Sequence, residues 1–97
     1  MYASIRRYKV SSIDEVVRRA GEGFVPLISQ GPGFIAYYIV DAGDGVAASI
    51  SLFESQAGAE ESNKLAASWV KENIAPLVSG SPEIMAGEVK MHKAKFR

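Results

Sequence analysis

The chain has 97 residues, which is enough material for one domain with a single core, and we treat residues 1–97 as that domain. Basic and acidic side chains balance at 11 each, so the surface lacks the excess of lysine and arginine that broad nucleic-acid binding requires. The absence of cysteine excludes disulfides, a thiolate nucleophile and cysteine-ligated metal.

Nothing in the sequence indicates a membrane partner. No apolar run approaches the length that crosses a bilayer, and the first residues lack the basic stretch and apolar core of a secretion signal. We therefore expect a cytoplasmic protein.

The first elements in chain order are a strand and a helix. Residues 2–9 alternate loosely between apolar and polar side chains and predict the strand. Ser12, with Glu15 three residues later, forms a capping box that predicts the start of the helix. Apolar residues at helical spacing continue it to Phe24, and Pro26 is expected to kink or end it because proline lacks the backbone donor.

A hairpin follows. Residues 33–40 and 46–53 read as strands on either side of the turn Gly43-Asp44-Gly45. Residues 30–33 contain the glycines and proline that separate this hairpin from the first helix.

The second helix is the more regular one, beginning at the cap residue Ser55 and ending before Pro76. The face that we expect to be buried consists of Ser62, Leu65, Ala66, Trp69, Val70, Asn73 and Ile74. Residues 84–93 alternate and predict the last strand. The order strand-helix-strand-strand-helix-strand predicts an α+β, ferredoxin-like βαββαβ fold with a four-stranded antiparallel sheet.

The hairpin loop decides which side chains face the helices, because a one-residue shift in pairing moves every side chain to the other face. A loop with an even number of residues places Tyr37 with Ile50 on the helix-facing side. A three-residue loop instead pairs Tyr38 with Ile50 and places the serines with Tyr37. We favour the even loop because it gives the helices one strongly apolar face. The remaining, mixed face then holds Ser4, Arg6, Tyr8, Tyr38, Ser49, Glu88, Lys90 and His92.

The mixed face includes large apolar side chains that would be better covered than left in water. A second copy packed face to face about a two-fold axis would cover it. We therefore expect a homodimer formed through the sheet face, to which residues 93–97 could add contacts.

Three short segments carry a family resemblance. Pro32-Gly33-Phe34 opens the second strand, Phe53-Glu54-Ser55 joins the third strand to the second helix, and Ala67-Ser68-Trp69-Val70 lies in that helix. With this order of elements, the chain resembles the dimeric α/β-barrel superfamily, in particular the small proteins grouped with antibiotic biosynthesis monooxygenases. The resemblance implies a homodimer whose sheets build a barrel. It leaves the activity open, because cofactor-free oxygenases of aromatic polyketides, haem-degrading enzymes and stress proteins share this fold.

The haem-degrading branch is not expected here. Its members resemble one another in an Asn on the first strand and in a Trp followed by a His on the second helix. This chain has Ser4, Ile5 and Arg6 on the first strand and no His in that helix. We expect no cofactor.

The candidate catalytic residues are Tyr38, Arg6 and His92. His92, the single histidine, could be a general acid or base, or an exposed residue near the end of the chain. Tyr37 and Tyr38 point to opposite faces, and either could hydrogen-bond a phenolic or quinone-like molecule or only pack. Arg6 could bind an anionic group of a substrate or form an ion pair with Glu88.

The candidate substrate-binding residues are Trp69, Tyr37 and Asn63. Trp69 could form the wall of an aromatic-binding pocket between helix and sheet, or belong only to the core. Asn63 could orient a ligand oxygen or lie in solvent. We find no signature of a metal site.

The sequence analysis leads to two functional hypotheses. The first is a cofactor-independent, monooxygenase-like protein that binds a small aromatic or quinone-like molecule, with Tyr38 or Tyr37 and Arg6 stabilising a developing enolate or phenolate. The second is a non-catalytic homodimeric module for ligand binding or stress-related interaction. A pocket that is reached by Trp69, a tyrosine hydroxyl and a cation would favour an enzyme, whereas a filled core would favour the second hypothesis.

Overall fold

The computed structural model describes residues 1–95 and has the predicted order of elements. The strands are β1 (Tyr2–Val10), β2 (Phe34–Gly43), β3 (Val46–Phe53) and β4 (Val78–Glu88). The helices are α1 (Ile13–Arg19), α2 (Val25–Ile28) and α3 (Gln56–Asn73), with a π-helical segment (Ala20–Phe24) before α2 and a 3-10 turn (Ala75–Leu77) before β4. The strands form one antiparallel sheet in the order β2-β3-β1-β4. The ferredoxin-like fold is therefore confirmed.

Both predicted helix starts are confirmed by their capping bonds. The Ser12 hydroxyl accepts from the backbone N–H of Glu15 at 3.4 Å, and the Ser55 hydroxyl accepts from that of Gly58 at 3.2 Å. These bonds satisfy backbone donors that the first turn of a helix leaves free.

Pro26 does not end the first helical region. The wider π-helical turn begins at Ala20, before the proline, and α2 starts after Phe24. Pro26 is the second residue of α2, so its missing N–H falls directly after the π-helical turn, where the hydrogen-bonding pattern changes. The break that we predicted near Phe24 is thus a change from a π-helical to an α-helical turn. Ile28, at the end of α2, is buried.

The hairpin turn contains two residues, as the favoured even loop requires. Asp44 and Gly45 have positive φ angles of 54° and 74°, as expected for a turn that follows the twist of the strands. A β-bulge between Asp41 and Gly43, where Gly43 has φ 84°, then adds one residue to β2.

The bulge makes the favoured hairpin register wrong. Tyr37 lies opposite Ser51, and Tyr38 lies opposite Ile50. This is the pairing that we had assigned to a three-residue loop, because the extra residue shifts the side chains from Ala36 to Asp41 relative to β3. A second irregularity, between Phe34 and Ala36, changes the register again at Phe34.

The assignment of the two sheet faces is also wrong. The face that packs against the helices, here called the inner face, carries Ser4, Arg6, Tyr8, Tyr37, Ser49 and Ser51. The opposite face, the outer face, carries Ile5, Tyr38, Val40, Ile50, Leu52 and Met85. A polar layer can be buried in this way because its groups bond to one another: over residues 1–95, every buried side-chain nitrogen and oxygen has a hydrogen-bond partner.

β4 begins earlier and ends earlier than predicted. It starts at Val78, passes through the Gly80 region with an irregularity in its pairing to β1, and ends at Glu88. Gly80 has φ 69°, which lets the strand absorb this irregularity. Lys90 and His92 therefore lie beyond the sheet and not on its mixed face.

Helices and inner face enclose the core between them. Its buried apolar residues are Val10, Val16, Ala20, Phe24, Ile28, Ala47, Phe53, Ala59, Ala66, Trp69 and Ile74. The indole of Trp69 contacts the ring of Phe24, whose edge meets Tyr37, with ring centroids 5.6 and 5.5 Å apart. Within residues 1–95 no helix is both long and apolar enough to cross a membrane. Of the tail expected to join the dimer contact, Phe96 and Arg97 lie outside the described residues.

Candidate functional site

Arg6 is a buried cation at the centre of the inner face, with 1% of its surface exposed. Its Nε donates to the Ser49 hydroxyl at 3.0 Å, and its Nη2 donates to that of Ser51. Its Nη1 donates to the side-chain oxygen of Asn63 at 2.7 Å. The guanidinium thus joins β1, β3 and α3 through neutral oxygen atoms.

Asn63 connects this cluster to the helical layer. Its Oδ1 accepts from both Arg6 and the Ser4 hydroxyl, and the residue is half-buried. The alternative of a solvated helix position is therefore wrong for Asn63. The residue points to the sheet because it follows the buried Ser62 by one position and precedes the buried Ala66 by three, at the edge of the apolar stripe of α3.

Two tyrosines flank the guanidinium from the inner face. Burial raises the pKa of Tyr8 and of Tyr37 above the ordinary value of 10.0, and the positive charge of Arg6 offsets part of that rise. Burial also lowers the pKa of Arg6, while both tyrosines act to raise it. Around neutral pH the tyrosine hydroxyls are therefore protonated and can donate hydrogen bonds beside a cation.

A cavity of about 310 Å³ opens beside this cluster, and we call it the Arg6 cavity. Arg6, Tyr8 and Asn63 supply its polar lining, and Lys71 on α3 adds a second cation. The remaining lining comes from Ala67, Val70, Ala75, Val78, Gly80, Pro82 and Ile84. Its volume lies at the lower end of what small-molecule sites in proteins provide.

A second, much smaller cavity lies between Trp69 and the sheet, and we call it the Trp69 cavity. It measures about 40 Å³ and is lined mainly by apolar side chains, together with Tyr8, Tyr37 and Ser49. Tyr8 and Val70 line both cavities and separate them. An enzyme was expected to have one pocket reached by Trp69, a tyrosine hydroxyl and a cation. Trp69 and Tyr37 instead line the small cavity and Arg6 lines the large one, while Tyr8 lines both.

Two of the predicted site residues lie away from this cluster. Tyr38 is on the outer face with 40% of its surface exposed, and the exposed His92 follows the end of β4. The ion pair expected between Arg6 and Glu88 is also wrong. Glu88 lies opposite Tyr2 in the sheet and accepts from Lys90 at 2.8 Å.

Sequence reasoning missed Tyr8, Ser49 and Ser51 as members of the cluster. The available signal was the alternation of polar side chains along β1 and β3, which places each set on one face of its strand. We assigned those sets to the face away from the helices, so the bonds from Arg6 and Ser4 to Asn63 were not foreseen.

Metal binding finds no support among the described residues. Within residues 1–95 no group of three or more His, Cys, Asp or Glu side chains is placed to hold a metal ion.

Comparisons with known proteins give information on the fold. No protein-family model matches the chain, and no curated protein matches it. Solved structures do match over nearly the whole chain. A monooxygenase of the gene ActVA-Orf6 from Streptomyces coelicolor, solved with nanaomycin D, is 16% identical with a TM-score of 0.75, covering 98% of this chain and 92% of that one.

Two further structures have different descriptions. A dimeric ferredoxin-like protein from an uncultured marine organism is 11% identical with a TM-score of 0.73, covering 97% and 98% of the two chains. SnoaB from Streptomyces nogalater, described as a cofactor-independent oxygenase and solved as a mutant, is 10% identical with a TM-score of 0.69, covering 97% of each chain. At these identities the likeness concerns the fold alone.

The resemblance drawn from the three short segments is thus confirmed at the level of the fold. This chain has the ferredoxin-like fold of the antibiotic biosynthesis monooxygenase-like proteins.

Proposed function

We propose that the protein is a homodimeric, cofactor-independent monooxygenase that binds a small aromatic or quinone-like molecule in the Arg6 cavity. The observation that carries the proposal is a buried guanidinium, flanked by a protonated tyrosine hydroxyl, at the polar end of a cavity with apolar walls. Hydrogen-bond donors held in a site of low polarity stabilise negative charge that develops on a substrate oxygen. The fold shared with described oxygenases is consistent with this chemistry.

In this mechanism the substrate itself reduces oxygen. An acidic phenol or enol binds as its anion, and Arg6 and Tyr8 donate hydrogen bonds to its oxygen. A methylene carbon of the ring system becomes a carbonyl with one atom of O₂, and the second atom leaves as water. The substrate supplies every electron that this reaction needs.

Oxygen uptake tests the proposal, with a substitution of Tyr8 on the inner face as the variant and one of Tyr38 on the outer face as its control. We expect chelator-treated protein to consume oxygen with members of a panel of polycyclic phenols whose keto tautomers carry a ring methylene. The carbonyl product should form in an amount equal to the oxygen consumed. Tyr8→Phe removes the donor and should lower kcat by about 100-fold, the usual scale for one oxyanion donor. Tyr38→Phe, on the outer face, should leave turnover unchanged. Uptake that Tyr8→Phe does not affect would exclude the mechanism.

A non-catalytic ligand-binding module is the second candidate function. Among the described residues, no histidine, aspartate or glutamate lines either cavity, so no side chain there is suited to act as a general base. Ligand binding without oxygen uptake across the panel would favour this function.

We also propose that two copies associate through the outer face. Tyr38, Val40 and Met85 are 40%, 43% and 65% exposed there, which is unusual for a cluster of large apolar side chains. A structure with the same fold is described as dimeric, which supports this assembly.

A further inference from the structure

Arg6 is buried without a charged partner among the side chains of residues 1–95. Its three hydrogen bonds end on two serine hydroxyls and an amide oxygen, all of them neutral. The ion pairs formed within residues 1–95 involve Arg7, Arg18, Arg19 and Lys90, and no carboxylate lies within 4.0 Å of the Arg6 nitrogens. A charge withdrawn from water without a countercharge costs free energy, so its presence requires an explanation.

A purely structural role does not need the charge. Hydrogen bonds to Ser49, Ser51 and Asn63 could be made by a neutral amide, and an uncharged side chain of similar volume is often at least as stable in a buried site. The neighbouring Arg7 shows the ordinary solution on the same strand, since it faces the other way and pairs with Glu83 at 3.0 Å. Arg6 has no such partner among the described side chains.

The Arg6 cavity can supply the missing charge through a ligand. Both charged residues in its lining, Arg6 and Lys71, are cations, and no Asp or Glu from residues 1–95 lines it. A guanidinium has five N–H donors, of which three bond to Ser49, Asn63 and Ser51, while the hydroxyls of Tyr8 and Tyr37 lie near the group. A carboxylate would bind the two remaining donors, and the planar shape of the group suits it. The apolar walls from Val70, Val78 and Ile84 would contact the uncharged part of such a ligand.

We propose that the Arg6 cavity selects amphipathic organic acids, in which a planar apolar body carries an ionised carboxylate that pairs with Arg6. This inference rests on the proposed function, because it names the substrate class of the same site. Asn63 and Ser51 hold the guanidinium in place, and the carboxylate completes its charge balance.

Calorimetric binding of two matched probes tests the proposal. 2-Naphthoate carries the carboxylate, and 2-naphthamide has nearly the same shape without the charge. We expect the wild-type protein to bind naphthoate at least about tenfold more tightly, as a charge-assisted bond to a guanidinium implies. Equal affinity for the two probes, or no binding of either, would overturn the proposal.

Two variants, with Arg7→Met as their control, locate the effect at Arg6. Arg6→Met should abolish the preference for the acid, whereas Arg7→Met, on the outer face, should keep it. Asn63→Asp keeps the cation and supplies a carboxylate beside it, so naphthoate affinity should fall by about tenfold while thermal stability is maintained. This second variant decides the question if Arg6→Met does not fold, and undiminished naphthoate binding by Asn63→Asp would count against the site.

The binding test and the oxygen-uptake test can fail independently of each other. Selective naphthoate binding without oxygen uptake, in a panel that includes phenols carrying a carboxylate, would keep the anion site and exclude the oxygenase. Turnover of phenols without a carboxylate, with no preference for naphthoate over naphthamide, would support the oxygenase and exclude the anion site.

Discussion

Arg6 illustrates how one residue can connect three elements of a small fold. Its bonds to Ser49, Ser51 and Asn63 tie the strands β1 and β3 to α3. In a buried cluster of this kind each partner depends on the others, because the loss of one leaves a polar group unsatisfied away from water.

The phenols beside Arg6 give a prediction for alkaline solution. Because burial raises the pKa of Tyr8 and Tyr37 above 10.0, both should ionise at higher pH than a free phenol. The neutral phenols favour the folded state, so their contribution to stability is present below about pH 10 and is lost as the pH rises through the folded-state pKa. A titration of phenolate absorbance measures these pKa values, and urea denaturation at several pH values measures the loss of stability.

Tyr8→Phe provides the control for that titration. The substitution should remove from the absorbance titration a phenol that ionises above the ordinary pKa of tyrosine. The variant should also lose less stability than the wild type between neutral pH and high pH. If the component that Tyr8→Phe removes from the titration instead ionises at the ordinary pKa of tyrosine, the burial of Tyr8 is contradicted.

At the scale of single residues, the sequence was sufficient to nominate Arg6, Asn63, Tyr37 and Trp69 but not to say which of them meet. The contact of Arg6 with Asn63 joins residues 57 positions apart, and it depends on which face of β1 the helix covers. Local periodicity places residues on faces, but it does not identify the face that is buried.

At the scale of elements, α3 depends on a close approach at its first turn. An added Cβ at Gly58 would lie 2.8 Å from the Phe53 ring and 3.1 Å from the carbonyl oxygen of Pro32, which is backbone and cannot turn away. Gly58 therefore permits the helix to dock on the end of β3, despite its poor helix propensity.

Gly58→Ala tests this docking. The gain in helix propensity is at most about 1 kcal/mol, and overpacking costs about 1–3 kcal/mol, so we expect a net loss of stability in urea denaturation. Gly21→Ala is the matched control, since nothing lies within 4 Å of its added Cβ, and it should be neutral or stabilising. A stabilised Gly58→Ala variant would show that the helix does not approach so closely.

Helix starts were predictable because capping depends on neighbours in the sequence, as at Ser12 and Ser55. The register of β2 on β3 was not predictable, because the bulge between Asp41 and Gly43 reverses the faces of residues 36–41 relative to β3, and a second irregularity follows between Phe34 and Ala36. The early start of β4 was hidden by the glycine and proline of residues 80–82, which normally interrupt strands but here coincide with an irregular stretch of pairing.

At the scale of the whole molecule, the inner face of the sheet carries the buried polar cluster beside apolar core residues, and the outer face exposes large apolar side chains. This reversal separates two tasks: the inner face positions the Arg6 cluster, and the outer face is free to meet a second copy. An antiparallel sheet can leave one face in water, but such a face is ordinarily polar. The formal net charge of zero leaves association without strong long-range repulsion.

The solution mass of the wild type and of Tyr38→Lys tests this arrangement most directly. Light scattering should give the wild type twice the chain mass of 10.4 kDa, whereas Tyr38→Lys, which brings like charges together across a two-fold axis, should give a folded monomer. Leu27→Lys, at an exposed apolar position on α2, should remain dimeric. A monomeric wild type, or a Tyr38→Lys variant that keeps the dimer mass, would contradict an outer face that pairs two copies.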